Sequence, residues 1–329
     1  MKKTLKILIA DTLHDSFKFH FPNNKIEYTY AFDWKDSNIL NQIQNFDGLI
    51  LRSRFVINED FLNYTKDLIF IARVGSGTDG IDKKLLAEKN IQLLTAPEGN
   101  RNAVTEHTLG LIFSVLNNFK KAQNQLANFE WKREENRGTE LTGKTVGIIG
   151  YGNVGRLLSQ KLAALGCEVL AFDKRNKIQD SFAKIVSLEE LQEKAQLVSM
   201  HIPLDDDIDG REEETGNFYF ADDIFFQNFK NPIFFFNTSR GEVVNTTALL
   251  KNLKSGKIKG AGLDVLENEK LSTFTALQKE EFEELIVMEN VILTPHVAGW
   301  TYESYQNLNK ILGQKINQFV ENYFKAQHK

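Results

Sequence analysis

Cysteine appears once in the 329 residues, as Cys167, so an intramolecular disulfide and a cysteine-based metal cluster are both excluded. Proline is sparse, at five residues, in a chain that is 42% apolar, an ordinary composition for a folded globular protein. Neither sign of charge dominates. The 40 Lys and Arg against 44 Asp and Glu leave a formal charge of −4, with no basic stripe for nucleic acid and no pull toward a membrane surface. No apolar run approaches the roughly 20 residues that span a bilayer. The N-terminus has two lysines and a short apolar run over 5–10, but that run is too short for a secretory h-region and Asp11 follows it at once. It reads as a first strand, and the protein as cytoplasmic. The length exceeds that of a typical single domain, so two domains of unequal size are expected.

What is present is organised around residues 145–155, TVGIIGYGNVG. The apolar run Val146, Ile148, Ile149 ends in Gly150-x-Gly152-x-x-Gly155 and continues as RLLSQKLAALG, the pattern of a strand, a tight turn and a helix. Gly150 permits the turn, Gly152 lets backbone approach a pyrophosphate, and Gly155 lets the helix pack close to the strand. Asn153 and Val154 open the helix, whose free N–H groups and positive dipole end suit phosphate. A second apolar run, 168–172, ends in Asp173, near the roughly 20-residue spacing at which a carboxylate meets the adenosine ribose. Such a carboxylate accepts from ribose hydroxyls and repels a 2′-phosphate, so NAD is expected in preference to NADP. Cys167, just before this run, reads as a buried structural thiol.

Strand-like runs at 5–10, 26–30, 48–51, 68–74 and 91–94 alternate with helical segments at 37–44, 59–65 and 83–89, which predicts a parallel α/β sheet of about five strands over the first hundred residues. Residues 106–119, EHTLGLIFSVLNNF, are apolar on more than one face and predict a largely buried helix, a connector or a subunit contact. Residues 130–143 are polar and turn-rich. After Asp173 the alternation resumes: helices at 188–194, 222–229 and 246–254, strands at 197–201, 233–237, 260–265 and 291–293, then a long amphipathic helix at 302–324, placed to fold back over the first domain. The carboxylate-rich stretch within 205–217 reads as a solvated loop; its spacing matches no calcium loop, and no metal is expected.

An enzyme that oxidises an alcohol with a nicotinamide needs a proton acceptor, a group to hold that acceptor, and a cation for the substrate's anionic end. Three stretches carry such residues at the carboxyl ends of predicted strands. NTSRG (237–241) holds Arg240, GLDVLENE (262–269) holds Asp264, Glu267 and Glu269, and TPHVAGWT (294–301) holds His296. Each has an ordinary explanation when taken alone: a surface ion pair for Arg240, a solvated carboxylate for Glu269, a loop histidine for His296. Their shared position at one sheet edge, where ligands collect in open α/β sheets, favours a common site.

The pattern resembles the D-isomer-specific 2-hydroxyacid dehydrogenase family over nearly the full chain. The motifs that carry the resemblance are RVGSGTDGID (73–82), APEGNRNAVTEH (96–107), GKTVGIIGYGNVG (143–155), the strand ending at Asp173, NTSRGEVV (237–244), GAGLDVLENE (260–269) and TPHVAG (294–299). The resemblance implies two doubly wound parallel-sheet domains, a Rossmann NAD-binding domain over 102–297 and a smaller flavodoxin-like substrate domain over 1–101 completed by 298–329. The crossings near 101 and 297 would be hinges.

It further implies a catalytic set of Arg240, Glu269 and His296. Neutral His296 would accept the hydroxyl proton in oxidation and its imidazolium would return it in reduction; Glu269 would fix the tautomer and raise the histidine pKa, and Arg240 would bind the substrate carboxylate. NAD would also be contacted by His201, Pro203, Thr238, Asp264 and Gly299, and Asp264 is the family's second carboxylate, near the nicotinamide or tuning the histidine indirectly. Glu267 is a bystander. Backbone amides around 74–77 would share the substrate carboxylate, with Ser76, Gly77 and Asn100 among the substrate contacts.

Arg52-Ser53 resembles the arginine-serine pair of phosphoglycerate dehydrogenases. Arg52, Arg54 and Arg101 are candidates for a substrate phosphate, and Lys132 and Arg133 for a neighbouring subunit's site. The first expectation is therefore 3-phosphoglycerate and 3-phosphohydroxypyruvate, hence serine biosynthesis, without the C-terminal module that gives longer relatives serine feedback. The others are glyoxylate or hydroxypyruvate reduction, or from another class an NADH-responsive corepressor scaffold. Three positions depart from the pattern: Arg101 after Asn100, the acidic insertion, and Lys270 after Glu269. A homodimer or higher homo-oligomer is implied.

Overall fold

A computed structural model describes residues 4–17, 24–175, 179–204 and 216–327. The acidic stretch lies almost wholly outside the described residues. The chain divides into two units, Met1–Asn100 with Trp300–Lys329, and Arg101–Gly299.

In the first unit five parallel strands, β1 (Leu5–Ile9), β2 (Ile26–Tyr30), β3 (Gly48–Leu51), β4 (Phe70–Arg73) and β5 (Gln92–Thr95), lie in the order 2-1-3-4-5. This is the flavodoxin-like doubly wound order. Successive strand residues point to opposite faces. Leu8, Leu49 and Ile71 fill a core with the helices Asp36–Gln42 and Lys83–Glu88, while Ile7, Ile9, Ile50 and Phe70 fill another. That second face is covered by the closing helix Tyr302–Gln327, which places Leu308, Leu312, Ile316, Val320 and Phe324 on it at every fourth residue. Helical spacing in the last stretch of sequence thus accounts for its packing on the first unit's sheet.

Arg54 is a structural staple, which corrects its expected place among the phosphate cations. Its guanidinium donates to the carbonyls of Ala10 at 2.7 Å, Phe32 at 3.2 Å and Ala31 at 3.3 Å, to that of Trp34, and to Asp36 at 2.8 Å. Those carbonyls lie just past the ends of β1 and β2, where no ladder partner remains. Arg54→Ala is expected to lower stability in urea unfolding by about 1–3 kcal/mol, the cost of leaving such acceptors unpaired, and to leave turnover of the folded fraction unchanged.

In the second unit seven parallel strands, β6 (Thr145–Ile149), β7 (Glu168–Phe172), β8 (Lys184–Ile185), β9 (Leu197–Met200), β10 (Ile233–Asn237), β11 (Ile258–Leu263) and β12 (Val291–Leu293), lie in the order 12-11-10-9-6-7-8. Counted from β6 this is the Rossmann order 3-2-1-4-5-6 with one further strand. Alternation again sets the faces. Val198, Met200, Ile233 and Phe235 pack with Phe225, Phe226 and Phe229 and the helix Thr246–Lys254; Val146, Ile148, Leu197 and Phe236 pack with the helices Arg101–Leu116 and Asn153–Ala164. Cys167 is half-buried, burial raises its thiol pKa, and its Sγ lies 3.5 Å from the Leu141 carbonyl.

Three elements differ from the sequence expectation. The helix expected at 106–119 runs Arg101–Leu116 and stops where Asn118 takes a left-handed φ of 54°, after which a second helix, Phe119–Ala127, begins. Leu111, Ile112, Val115 and Leu116 of the first helix are buried in the core. The short edge strand β8 and the helix Ala276–Val287 were not read from sequence; the latter is charged along much of its length and buries only Glu281 and Leu285 fully. No described helix is long and apolar enough to cross a membrane.

Candidate active site

Parallel strands expose their carboxyl ends along one edge, and every chemically distinctive stretch of the second unit lies there. The glycine turn follows β6, Asp173 follows β7, His201 and Pro203 follow β9, Thr238 and Arg240 follow β10, Asp264 follows β11, and His296 and Gly299 follow β12. β6 pairs with both β7 and β9, so the glycine turn sits at the point where strand order reverses, the usual ligand crevice of such sheets.

The turn has the form that a pyrophosphate requires. Gly150 has a φ of 95°, and a Cβ on Gly155 would lie 2.0 Å from the Gly150 carbonyl oxygen, so only glycine permits this approach of helix to strand. Gly152 is the N-cap of the helix Asn153–Ala164, and nothing lies within 4 Å of a Cβ placed there. Asn153 is exposed and Val154 half-buried, leaving open a helix N-terminus of free N–H groups.

Asp173 ties its strand to this turn, accepting from the Tyr151 N–H at 2.7 Å and the Arg175 N–H at 2.8 Å. Behind the turn, wholly buried Tyr151 donates its hydroxyl to Asp180 at 2.7 Å, and Arg156 donates Nε to the same carboxylate at 2.7 Å. His201 is 2.8 Å from Ser199 Oγ, and burial pushes its pKa down to about 3, so the ring is neutral. These residues fit a dinucleotide.

The loops after β10, β11 and β12 converge on His296. Its Nδ1 is 2.8 Å from Glu269 Oε2, with both side chains nearly half exposed. The hydrogen bond to Glu269 is the main cause that raises the histidine pKa above its ordinary value; desolvation and the nearby Arg240 cation oppose it, and Asp264 adds to it. Arg240 is half-buried, and its Nη1 donates to the Ser239 carbonyl at 2.7 Å.

His296 has a φ of 52°, a left-handed conformation that costs a non-glycine residue on the order of 1 kcal/mol. Asp264 holds it there. That residue is 1% exposed; its backbone carbonyl accepts from the His296 N–H at 2.7 Å, and its carboxylate accepts from the Thr294 hydroxyl at 2.5 Å and the N–H groups of Val297 at 2.9 Å and Ala298 at 2.8 Å. Of the two roles expected for Asp264, the indirect one is the role these contacts describe: it positions the loop that carries the histidine. Glu267 has a comparable structural task, accepting from the Thr246 N–H at 2.5 Å and the Tyr219 hydroxyl at 3.0 Å.

Asn237, His107 and Thr108 shape the site although the sequence assigns them no role of their own. Asn237, at 1% exposure, staples the NTSRG turn by donating to the Arg240 carbonyl at 2.7 Å and accepting from Ser239. An Asn at a strand end ahead of a turn is the available signal. On the helix Arg101–Leu116, His107 is 2.9 Å from Thr294 and Thr108 is 2.9 Å from Thr238, which is 8% exposed. Nothing in their spacing marks them. Arg101 is the exposed first residue of that helix.

The remaining expected substrate residues lie at the carboxyl edge of the first unit's sheet. Asn100 donates to Ser76 Oγ at 3.2 Å, beside Gly77, and Ser53 is exposed. The Arg52 guanidinium stands 4.8 Å from the Trp300 ring centre and 5.4 Å from that of Tyr305, and donates a hydrogen bond to no described residue. Lys132 forms an exposed ion pair with Glu130 at 2.8 Å.

Residues 109–298 match the model of the D-isomer specific 2-hydroxyacid dehydrogenase NAD binding domain. The chain belongs to this family. Among other members of this NAD-dependent oxidoreductase family, it is 30% identical to the hydroxypyruvate reductase of Thermotoga maritima, over 89% of this chain and 90% of that one. It is 27% identical to the D-3-phosphoglycerate dehydrogenase of Archaeoglobus fulgidus, over 95% of this chain but only 56% of that one, so the chain spans little more than half the length of that relative. The crystal structure of D-lactate dehydrogenase from Aquifex aeolicus, complexed with NAD and lactic acid, shares the fold with a TM-score of 0.80 at 22% identity, covering 97% of this chain and 96% of that one.

Proposed function

We propose that the protein interconverts a D-2-hydroxy acid and its 2-keto acid with NAD, and that the pair is 3-phosphoglycerate and 3-phosphohydroxypyruvate. The observation that carries the reaction is the 2.8 Å contact of His296 Nδ1 with Glu269. It leaves Nε2 as the atom that exchanges the proton with substrate oxygen. NAD, when bound, supplies or takes the hydride; Gly150, Gly152, Asn153, Val154, Gly155 and Asp173 would hold its adenosine and pyrophosphate part, and His201, Pro203, Thr238 and Gly299 line the rest of that sheet edge. Arg240 binds the substrate carboxylate and polarises the carbonyl, with Ser76, Gly77 and Asn100 as further substrate contacts.

The phosphate reading is supported by the contrast between two neighbours. Arg54 is spent on backbone carbonyls, whereas Arg52 rests on an aromatic shelf with its donors uncommitted to any described residue. Ser53 adds a hydroxyl. The Thermotoga maritima relative favours hydroxypyruvate as the second reading. NADH oxidation with 3-phosphohydroxypyruvate, hydroxypyruvate, glyoxylate and pyruvate separates the two. A kcat/KM preference for the phosphorylated acid that is lost in Arg52→Ala supports the first; equal turnover of the unphosphorylated acids rejects it. NADH binding without turnover of any of them rejects the dehydrogenase reading for these acids.

In the reductive direction His296 must carry its proton, so activity falls as pH rises through the raised histidine pKa, above the ordinary value near 6.5. Glu269→Gln keeps an acceptor for Nδ1 but removes the charge. Its alkaline limb is expected at lower pH than that of the wild type, and a kcat–pH profile reads this directly.

We also read the protein as a homodimer or a multiple of it. Phe119, Leu126, Phe129 and Trp131 are exposed along the helix Phe119–Ala127 and the segment after it. A monomeric mass by light scattering rejects this.

A further inference from the structure

His107 lies on the helix Arg101–Leu116, a different element from the glycine turn and from the loops that carry Arg240, Glu269 and His296. Its Nε2 is 2.9 Å from Thr294 Oγ1 and 3.5 Å from Asp264 Oδ1. The direction of these bonds follows from valence. An ionised carboxylate only accepts, so the single hydroxyl hydrogen of Thr294 is spent on Asp264 at 2.5 Å. Thr294 therefore accepts from His107, and Nε2 of His107 carries a hydrogen. The chain of bonds runs from helix to His107, to Thr294, to the buried Asp264 carboxylate, and on to the N–H groups of Val297 and Ala298 that flank His296. Thr108, the next residue, donates its own hydroxyl to the Val104 carbonyl at 2.7 Å and so accepts from Thr238. One helix thus braces two of the loops at the sheet edge.

We propose that His107 is a positioning residue for proton transfer, acting through Thr294 and Asp264 to hold the His296 backbone where its ring meets Glu269. The inference rests on the dehydrogenase reading of the site. Without the His107 donor, Thr294 is free to turn its hydroxyl elsewhere and Asp264 loses a donor it needs while buried. The loop then relaxes from its left-handed conformation and the Glu269 contact is made for less of the time. Three charged groups face His296: Glu269 and Asp264 favour its protonation and Arg240 opposes it. A less populated Glu269 bond leaves Arg240 and desolvation to lower the histidine toward its ordinary range.

The test uses the full chain with the substitutions His107→Leu, His107→Gln and Thr294→Val, read in two ways. One is the kcat–pH profile of keto-acid reduction. The other is the pH titration of the His296 ring by NMR without substrate or cofactor, assigned through its loss in His296→Asn. His107→Leu is expected to lower kcat by about 10- to 100-fold, the scale of a small misplacement of a reacting group, with little change in KM and with both the alkaline limb and the ring titration moved to lower pH. His107→Gln, whose amide donates from the same place, is expected to restore all three. Thr294→Val should reproduce His107→Leu, and the double variant should be no worse than either.

Unmoved titrations in both His107→Leu and Thr294→Val overturn the inference, as does a His107→Gln no better than Leu. If His107→Leu does not fold, Thr294→Val and His107→Gln decide. Absence of wild-type turnover with every keto acid counts against the dehydrogenase reading, while the NMR titration still tests the positioning.

Discussion

Replacing His296 by Asn is expected to lower keto-acid turnover by about 10²- to 10⁴-fold, the range over which a positioned acid or base accelerates proton transfer. The NADH dissociation constant should stay within about threefold of wild type, because the glycine turn and Asp173 are built on β6 and β7 while His296 follows β12. Asn is chosen because it tolerates the left-handed φ of 52°. A bulkier or β-branched replacement would confound loss of the imidazole with loss of the loop. Steady-state kinetics with fluorescence titration of NADH measures both quantities. Retained turnover would mean that the proton comes from another group or from water, and the assignment of His296 would fail.

Arg240→Lys is the second large effect. The charge is kept, but the planar fork that pairs with a carboxylate is lost. A loss of about 10²- to 10³-fold in kcat/KM is expected, comparable to removal of one preorganised donor to a developing oxyanion. The fork is already oriented by its Nη1 bond to the Ser239 carbonyl, and the loop beneath it is stapled by Asn237. A lysine ammonium on a flexible stem inherits neither constraint. If Arg240 served only as a distant cation, Lys would retain most of the activity, so the Lys variant distinguishes fork from charge. The same variant is informative about His296: keeping a cation nearby should leave its opposition to protonation largely in place, and the alkaline limb of kcat should move little.

Much of this site is legible in the sequence because its constraints are local. Gly150, Gly152 and Gly155 are read from spacing alone; a φ of 95° at Gly150 and a 2.0 Å approach to backbone at Gly155 admit no side chain. Short apolar runs mark nearly all the strands, because a parallel strand covered on both faces is apolar on both. The closing helix declared its packing face by apolar residues at every fourth position. Where local constraints are weak, an element goes unmarked in the sequence. The helix Ala276–Val287 is charged along much of its length, and the end of Arg101–Leu116 is set by one left-handed asparagine that no periodicity marks.

Function divided along the same line. Arg240, Glu269 and His296 are 56 residues apart at the extremes (240 and 296), and sequence could name them only by motif and by position after strands. That the ring of His296 meets Glu269 at 2.8 Å, that Asp264 holds the loop beneath it, and that His107 supplies a further donor are decided by strand order and helix packing. Arg52 and Arg54 make the point most plainly. Two residues apart and identical in chemistry, one is spent on strand-end carbonyls and the other rests on Trp300, nearly 250 residues away in sequence (300 against 52). Sequence determined which residue types were available and which backbone turns were possible; the tertiary structure decided which of them have donors left to offer, because a hydrogen bond is settled by the partner that packing brings within reach.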